Sequence, residues 1–253
     1  MKKTNKIVAI LSLVLGAAFF ASQANIYATY WPENRNRSDD IINNVSEDEK
    51  IASQHTEKAH ALNVGDQTLD YARYKLGVVV SPQVKENYGA PAAVQAILKK
   101  HGIERSQESL AEELGTTSTG TLVQNIAPVL NRAIGWDEYP ADGKPGYRLA
   151  QLRVGNKEDR ELLQKRIVQD YLYGDPVIFL ANSSYLGNEY SEGDHYYVGN
   201  GYRFAIGKLG WHFQALFFDT QAVAYDSYYG YEQYEYIADL CEAIEVAGGY
   251  YIW

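Results

Sequence analysis

The stretch from Ser81 to Thr121, SPQVKENYGAPAAVQAILKKHGIERSQESLAEELGTTSTGT, constrains the fold more than any other, because turn, helix and polar signals converge in it. Gly89 and Pro91 punctuate the chain after an extended VVVSPQV segment, and Pro is favoured at a first helical position, where its missing N–H is not needed. From there Ala92, Ala93, Val94, Ala96, Ile97 and Leu98 predict a buried helix, closed by Lys99, Lys100 and His101 as a basic last turn and by Gly102 as cap. The leading N–H groups of such a helix have no intrahelical partner, so its N-terminus carries positive potential. A side chain just before it stands where an anionic nucleophile is stabilised. Here that side chain is Tyr88.

Around this core the periodicity changes along the chain. Leu69, Ala72 and Leu76 fall at helical spacing, and Val78, Val79 and Val80 read as a short strand leading to Gln83. Ser106 predicts an N-cap for a helix with Leu110, Ala111 and Leu114 as its apolar stripe, ending at Gly115. Thr121 and Gln124 have the form of a capping box for a further helix, which Pro128 kinks or splits. A loop-rich region to Arg153 precedes a helix over 157–173. Beyond it, 176–180, 195–198 and 213–218 are short β-branched or aromatic runs bounded by turn residues, which predict strands. A last helix over 232–246 and a terminal strand over 250–253 complete an α+β domain with a mostly antiparallel sheet.

Composition narrows the chemistry. Met1 to Lys6 is basic, Ile7 to Ala21 is apolar, and small residues offer cleavage after Ala24 or Ala28, so residues 1–28 read as a secretory signal peptide. The expected address is secreted, extracellular or at the cell surface, with no stable membrane span once the leader is removed. Residues 29–61 form a polar extension too poor in apolar side chains to enter a core, and 62–253 form the folded domain. Cys241 is the only cysteine, so neither a disulfide framework nor a cysteine zinc cluster is available, and His55 and His60 lie in a solvated segment. No metal and no cofactor are expected. A net charge of −9 without a basic patch argues against nucleic acid as partner.

Gln83, the turn Tyr88-Gly89-Ala90-Pro91-Ala92, SQESLAEELGTT, GDPVIFL, GDHYYVGNGY and LFFDT occur in an order that resembles the C39-like peptidases, a branch of the papain-like cysteine peptidases. The resemblance implies a papain-like α+β fold, with a helical half against the sheet and a cleft between them. It also implies site roles: a nucleophile position at Tyr88, where the family has Cys; a base at His195; an orienting carboxylate at Asp219, with Asp226 as alternative; and an oxyanion donor at Gln83. A phenol, with a pKa of about 10 against roughly 8.5 for a thiol, is a poor acyl carrier. Tyr88 is therefore expected to fill the place of a scissile carbonyl, its hydroxyl near His195 or the helix N–H groups.

Cys241 lies on the apolar stripe of the last helix, where a cysteine behaves as a small buried hydrophobe, and Ser81 lacks a nucleophile-elbow context. The resemblance with a missing thiol implies a secreted pseudoenzyme that binds a peptide or protein ligand, cell-wall material included, in a remnant cleft. Whether the chain is an enzyme stays open. The alternatives are an active cysteine-type peptidase, with Tyr88 a variant or knockout of its catalytic Cys, and a cell-surface or glycan-binding module using the tyrosine-rich stretch YDSYYGYEQYEY at 225–236.

Overall fold

The computed structural model describes residues 69–186, 193–207, 210–221 and 232–253. The signal peptide, the 29–61 extension, Asp226 and Tyr225–Tyr231 lie outside the described residues. Strand β1 (Leu69–Lys75) is followed by helices α1 (Gly89–Lys100), α2 (Gln107–Leu114) and α3 (Ile126–Ile134), the last entered through a 3-10 turn at Val123–Asn125. Then come β2 (Leu149–Gln151), α4 (Lys157–Tyr173), β3 (Ile178–Asn182), β4 (Asp194–Gly207) and β5 (Gly210–Asp219). Strand β6 (Glu232–Tyr236), helix α5 (Ile237–Val246) and strand β7 (Tyr250–Ile252) end the chain. Among the described residues no helix is long and apolar enough to cross a membrane.

The strands form one seven-stranded sheet in the order β2-β7-β3-β4-β5-β6, with β1 also pairing β4, and every pairing is antiparallel. The α+β reading therefore holds. Along one edge β4 pairs first with β3, through Asp194 to Val198, and then with β1, through Gly201 to Ile206. A β-bulge between Gly199 and Gly201 marks the change of partner. A Cβ on Gly199 would lie 1.7 Å from the Tyr171 hydroxyl, and one on Gly201 would lie 2.1 Å from the Tyr74 carbonyl oxygen. Only glycine permits both approaches.

Helix α1 is buried along Ala90–Val94 and Ala96–Leu98, as its apolar run predicts. Ile97 and Leu98 join Leu110 and Leu114 of α2 and Ile126 and Leu130 of α3 in the core, all fully buried. Helix α2 has the predicted ends: the Ser106 hydroxyl accepts from the Ser109 N–H, and Gly115 caps in the left-handed conformation. Helix α4 matches its predicted span.

Four local expectations are corrected. Leu69–Lys75 is a strand, because pairing with β4 outweighs the helical spacing of three apolar side chains, and the chain after Leu76 is irregular. Pro91 is the third residue of α1, tolerated there because first-turn N–H groups have no intrahelical acceptor. The Thr121 hydroxyl bonds Thr116 at 2.8 Å and caps nothing, and the break falls before Pro128, at the 3-10 turn. Residues 232–236 pair with β5 as a strand, so the last helix begins at Ile237.

Candidate active site

Tyr88 occupies the N-cap position of α1. Its backbone carbonyl accepts the first helical N–H, from Ala92 at 2.9 Å, while its side chain makes no capping bond. The ring is buried, and its hydroxyl accepts from the Lys85 ammonium at 2.9 Å. The hydroxyl, expected near His195 or the helix N–H groups, thus makes no bond to those N–H groups and is bonded to Lys85, three residues upstream. That bond is the main reason why the Lys85 ammonium holds its proton above the ordinary lysine range.

The other candidate residues meet through their neighbours at Gly89. A Cβ built on Gly89 would lie 3.5 Å from the Gln83 side-chain oxygen, 3.5 Å from the Thr220 hydroxyl and 3.7 Å from the Tyr196 ring. Thr220 follows Asp219, and Tyr196 follows His195. Gln83 donates its backbone N–H to the Thr220 carbonyl at 3.2 Å, and the Thr220 hydroxyl bonds the Gln83 Oε1 and the Tyr196 carbonyl, each at 3.2 Å. The Gln83 Nε2 donates to the Glu86 carbonyl at 2.9 Å. Three segments far apart in sequence, around Gln83–Gly89, Tyr196 and Thr220, therefore close on one point beside Tyr88.

His195 is half-buried near the start of β4, and Asp219 is buried at the end of β5. Asp219 pairs with Tyr197, two residues beyond His195, so strand alternation puts His195 and Asp219 on the same face at diagonal positions, typically about 7–8 Å apart. The Asp219 Oδ1 accepts from the Gln221 N–H at 2.8 Å. Tyr196 donates its hydroxyl to the Thr121 carbonyl at 2.9 Å, and burial pushes that phenol above its ordinary value. It thereby ties the threonine-rich 116–121 loop to the mouth of α1, and Asn87 grips the same loop by donating to the Thr117 carbonyl at 2.6 Å.

Cys241 lies on α5 with 1% of its surface exposed, and burial pushes its thiol up to about 12. This is the inert, core-packed cysteine expected from its place on the stripe. Among the described residues no three His, Cys, Asp or Glu side chains gather where a metal ion could sit.

The sequence reading passed over the polar side chains that support this site. Gln107, at 3% exposure, gives its Nε2 to the Pro82 carbonyl at 2.9 Å and to the Gln95 Oε1 at 3.1 Å, while its Oε1 accepts from the Val84 N–H at 3.0 Å. A signal was present: Gln107 falls in register with Leu110, Ala111 and Leu114, and a polar residue on an apolar stripe must find partners when buried. Thr220 was visible only as the last letter of LFFDT.

Three solved structures of different origin are similar to this chain. The peptidase domain of Streptococcus ComA, a bi-functional ABC transporter involved in a quorum sensing pathway, matches at 16% identity and TM-score 0.40, over 71% of this chain and 96% of that one. A protein described as a C39-like peptidase from Bacillus anthracis matches at 11% identity and TM-score 0.45, over 71% and 96%. SERA5E from Plasmodium falciparum matches at 12% identity and TM-score 0.40, over 63% and 81%. No curated protein matches. The sequence profile of the Peptidase_C39 like family matches residues 75–244, which include every element from α1 to β6 and most of α5, and the chain belongs to that family.

Proposed function

We propose that this protein is a secreted, catalytically silent member of the family that holds a peptide-type ligand at the mouth of α1. One observation carries the reading: the residue at the N-cap position of this helix has a buried phenol held by Lys85, where the resemblance implies a thiol. A phenol can donate to and accept from a peptide group, but it is a poor acyl carrier at neutral pH. The chain's one thiol does not replace it, being enclosed in α5 and kept protonated.

The surrounding frame supports binding. Gln83, Thr220 and Tyr196 are bonded to one another beside Gly89, so a ligand meets groups already in place and less ordering entropy is lost on association. Secretion is read from the basic and apolar leader at residues 1–28.

The test compares the unmodified mature chain with Tyr88→Cys, each treated with a thiol-directed peptide probe. Labelling at position 88 in the variant alone, lost on adding His195→Ala, is the expected result. Hydrolysis of a peptide panel by the unmodified chain, or probe capture at Cys241, overturns the reading.

A further inference from the structure

Segment 82–84 is held on both edges as though it were a strand inside a sheet. On one side the Gln83 N–H meets the Thr220 carbonyl at 3.2 Å. On the other, no strand among the described residues pairs with it. Instead, the carboxamide of Gln107 supplies both halves of a peptide-like pairing, accepting from the Val84 N–H and donating to the Pro82 carbonyl.

This carboxamide has one workable orientation. Its second donor contact is the Gln95 Oε1, and the Gln95 Nε2 is committed to the Arg105 carbonyl at 2.7 Å. A flip of Gln107 would set N–H against N–H at Val84, and oxygen against oxygen at Pro82 and Gln95. A buried amide left in that state costs far more than a surface hydrogen bond contributes. The chain of amides from Arg105 through Gln95 and Gln107 thus fixes the backbone on either side of Gln83.

The Gln83 side chain is fixed in turn. Glu86 offers only a carbonyl oxygen, so the Nε2 must face it and the Oε1 faces Thr220, whose single hydroxyl proton is shared between that oxygen and the Tyr196 carbonyl. One hydrogen of the Nε2 is used on Glu86, and the carboxamide nitrogen carries a second.

From this geometry we infer that Gln107 is a positioning residue, which aims the Gln83 carboxamide by pairing with the backbone of residues 82 and 84. The inference rests on the reading that position 88 faces the remnant of a thiol-peptidase site. It goes beyond that reading in assigning the alignment of Gln83 to a side chain of α2 that touches no ligand.

The experiment uses full mature chains carrying Tyr88→Cys, with and without Gln107→Met, a substitution of similar length that removes all three bonds. Two reactions of the introduced thiol are timed. Alkylation by iodoacetamide displaces iodide and builds no charge on a carbonyl oxygen, whereas acyl transfer from a p-nitrophenyl ester builds an oxyanion. In the ester reaction the sulfur–carbonyl bond forms as nitrophenolate leaves, and the thiol proton passes to the base. Loss of a single oxyanion donor costs about 10²–10³ in rate, and misalignment of one a fraction of that. The expected result is a fall of at least about tenfold in the ester rate relative to alkylation, with alkylation within about twofold.

Equal falls in both rates, or no change in their ratio, overturn the inference and leave the functional reading standing. An introduced thiol with no His195-dependent reactivity overturns the functional reading, and the inference with it. Backbone exchange in the unmodified chain gives a second measure. Gln107→Met should speed amide exchange at Val84 at least about tenfold while the α1 amides stay protected, since Val84 then has no acceptor. Unchanged protection at Val84 overturns the inference as well.

Discussion

Timing the reaction of Cys241 with an aromatic disulfide, in the folded chain and in urea, tests how completely α5 withdraws the only thiol from chemistry. At pH 7.5 an ordinary thiol with a pKa of about 8.5 is roughly one-tenth thiolate. With its thiol pushed up to about 12, Cys241 holds about three thiolates per hundred thousand molecules, roughly 3,000-fold fewer. The more basic sulfur is the better nucleophile, and a Brønsted slope of about 0.4–0.5 over that difference returns roughly 25- to 55-fold. The net deficit is about a hundredfold before access is considered. With 1% of the residue exposed, the reagent must also wait for α5 to open, which slows the folded chain further. The pH profile provides an independent check. Between pH 8.5 and 10 the folded rate should climb about thirtyfold, while the unfolded rate rises only about twofold as its thiol finishes ionising. A folded rate within about tenfold of the unfolded one at pH 7.5, or a plateau near pH 9, refutes the reasoning and makes Cys241 a reactive group.

Other outcomes follow from the packing. Gly199→Ala drives a Cβ to 1.7 Å from the Tyr171 hydroxyl and 2.7 Å from its ring, so urea unfolding should show a loss of about 2–3 kcal/mol that Tyr171→Phe restores only in part. Glu245 receives both Arg160 nitrogens, at 2.7 and 2.8 Å, and the Gly155 N–H, and Glu245→Gln should cost about 1–3 kcal/mol at pH 7. The Arg160 guanidinium holds that carboxyl below its ordinary value, so the contribution is present above about pH 4.3. It is lost as the pH falls through the lowered value, and stability curves of wild type and variant should converge there. Burial holds the Tyr147 and Tyr171 phenols well above their usual value, so the unfolded chain ionises first. Stability should fall above about pH 10, by up to about 1.4 kcal/mol per pH unit for each phenol, and Tyr171→Phe should flatten the slope.

The helices around the site were legible because their signals are local. The apolar run of α1, the Ser106 cap and Gly115 end of α2, and the span of α4 all depend on residues within a few positions of one another. Strands decided by distant partners were less legible. β1 carries three apolar residues at helical spacing, yet its conformation is set by β4 more than a hundred residues away. β6 merged with the helix that follows it because its pairing with β5 leaves no mark in its own five residues. The site shows the same division. Tyr88, Gln83, His195 and Asp219 could be named as candidates from motif order, whereas the contact of Lys85 with Tyr88 and the Gln107 pairing depend on how α1, α2 and the 82–88 turn pack.

The bulge in β4 separates two neighbourhoods on a single strand. Ahead of it lie His195 and the β3 contacts; past it lies β1, and Asn200 at the crossing takes the Leu76 N–H on its backbone oxygen and the Val78 N–H on its side chain, both at 2.7 Å. A shift in the register of β1 therefore acts on the distal portion of β4 and, through Leu76 and Val78, on the segment that runs on to Gln83 and Tyr88. The imidazole end of β4 keeps its own pairing with β3, so of the candidate residues it is the ones on the 76–88 segment, Gln83 and Tyr88, that such a shift reaches first.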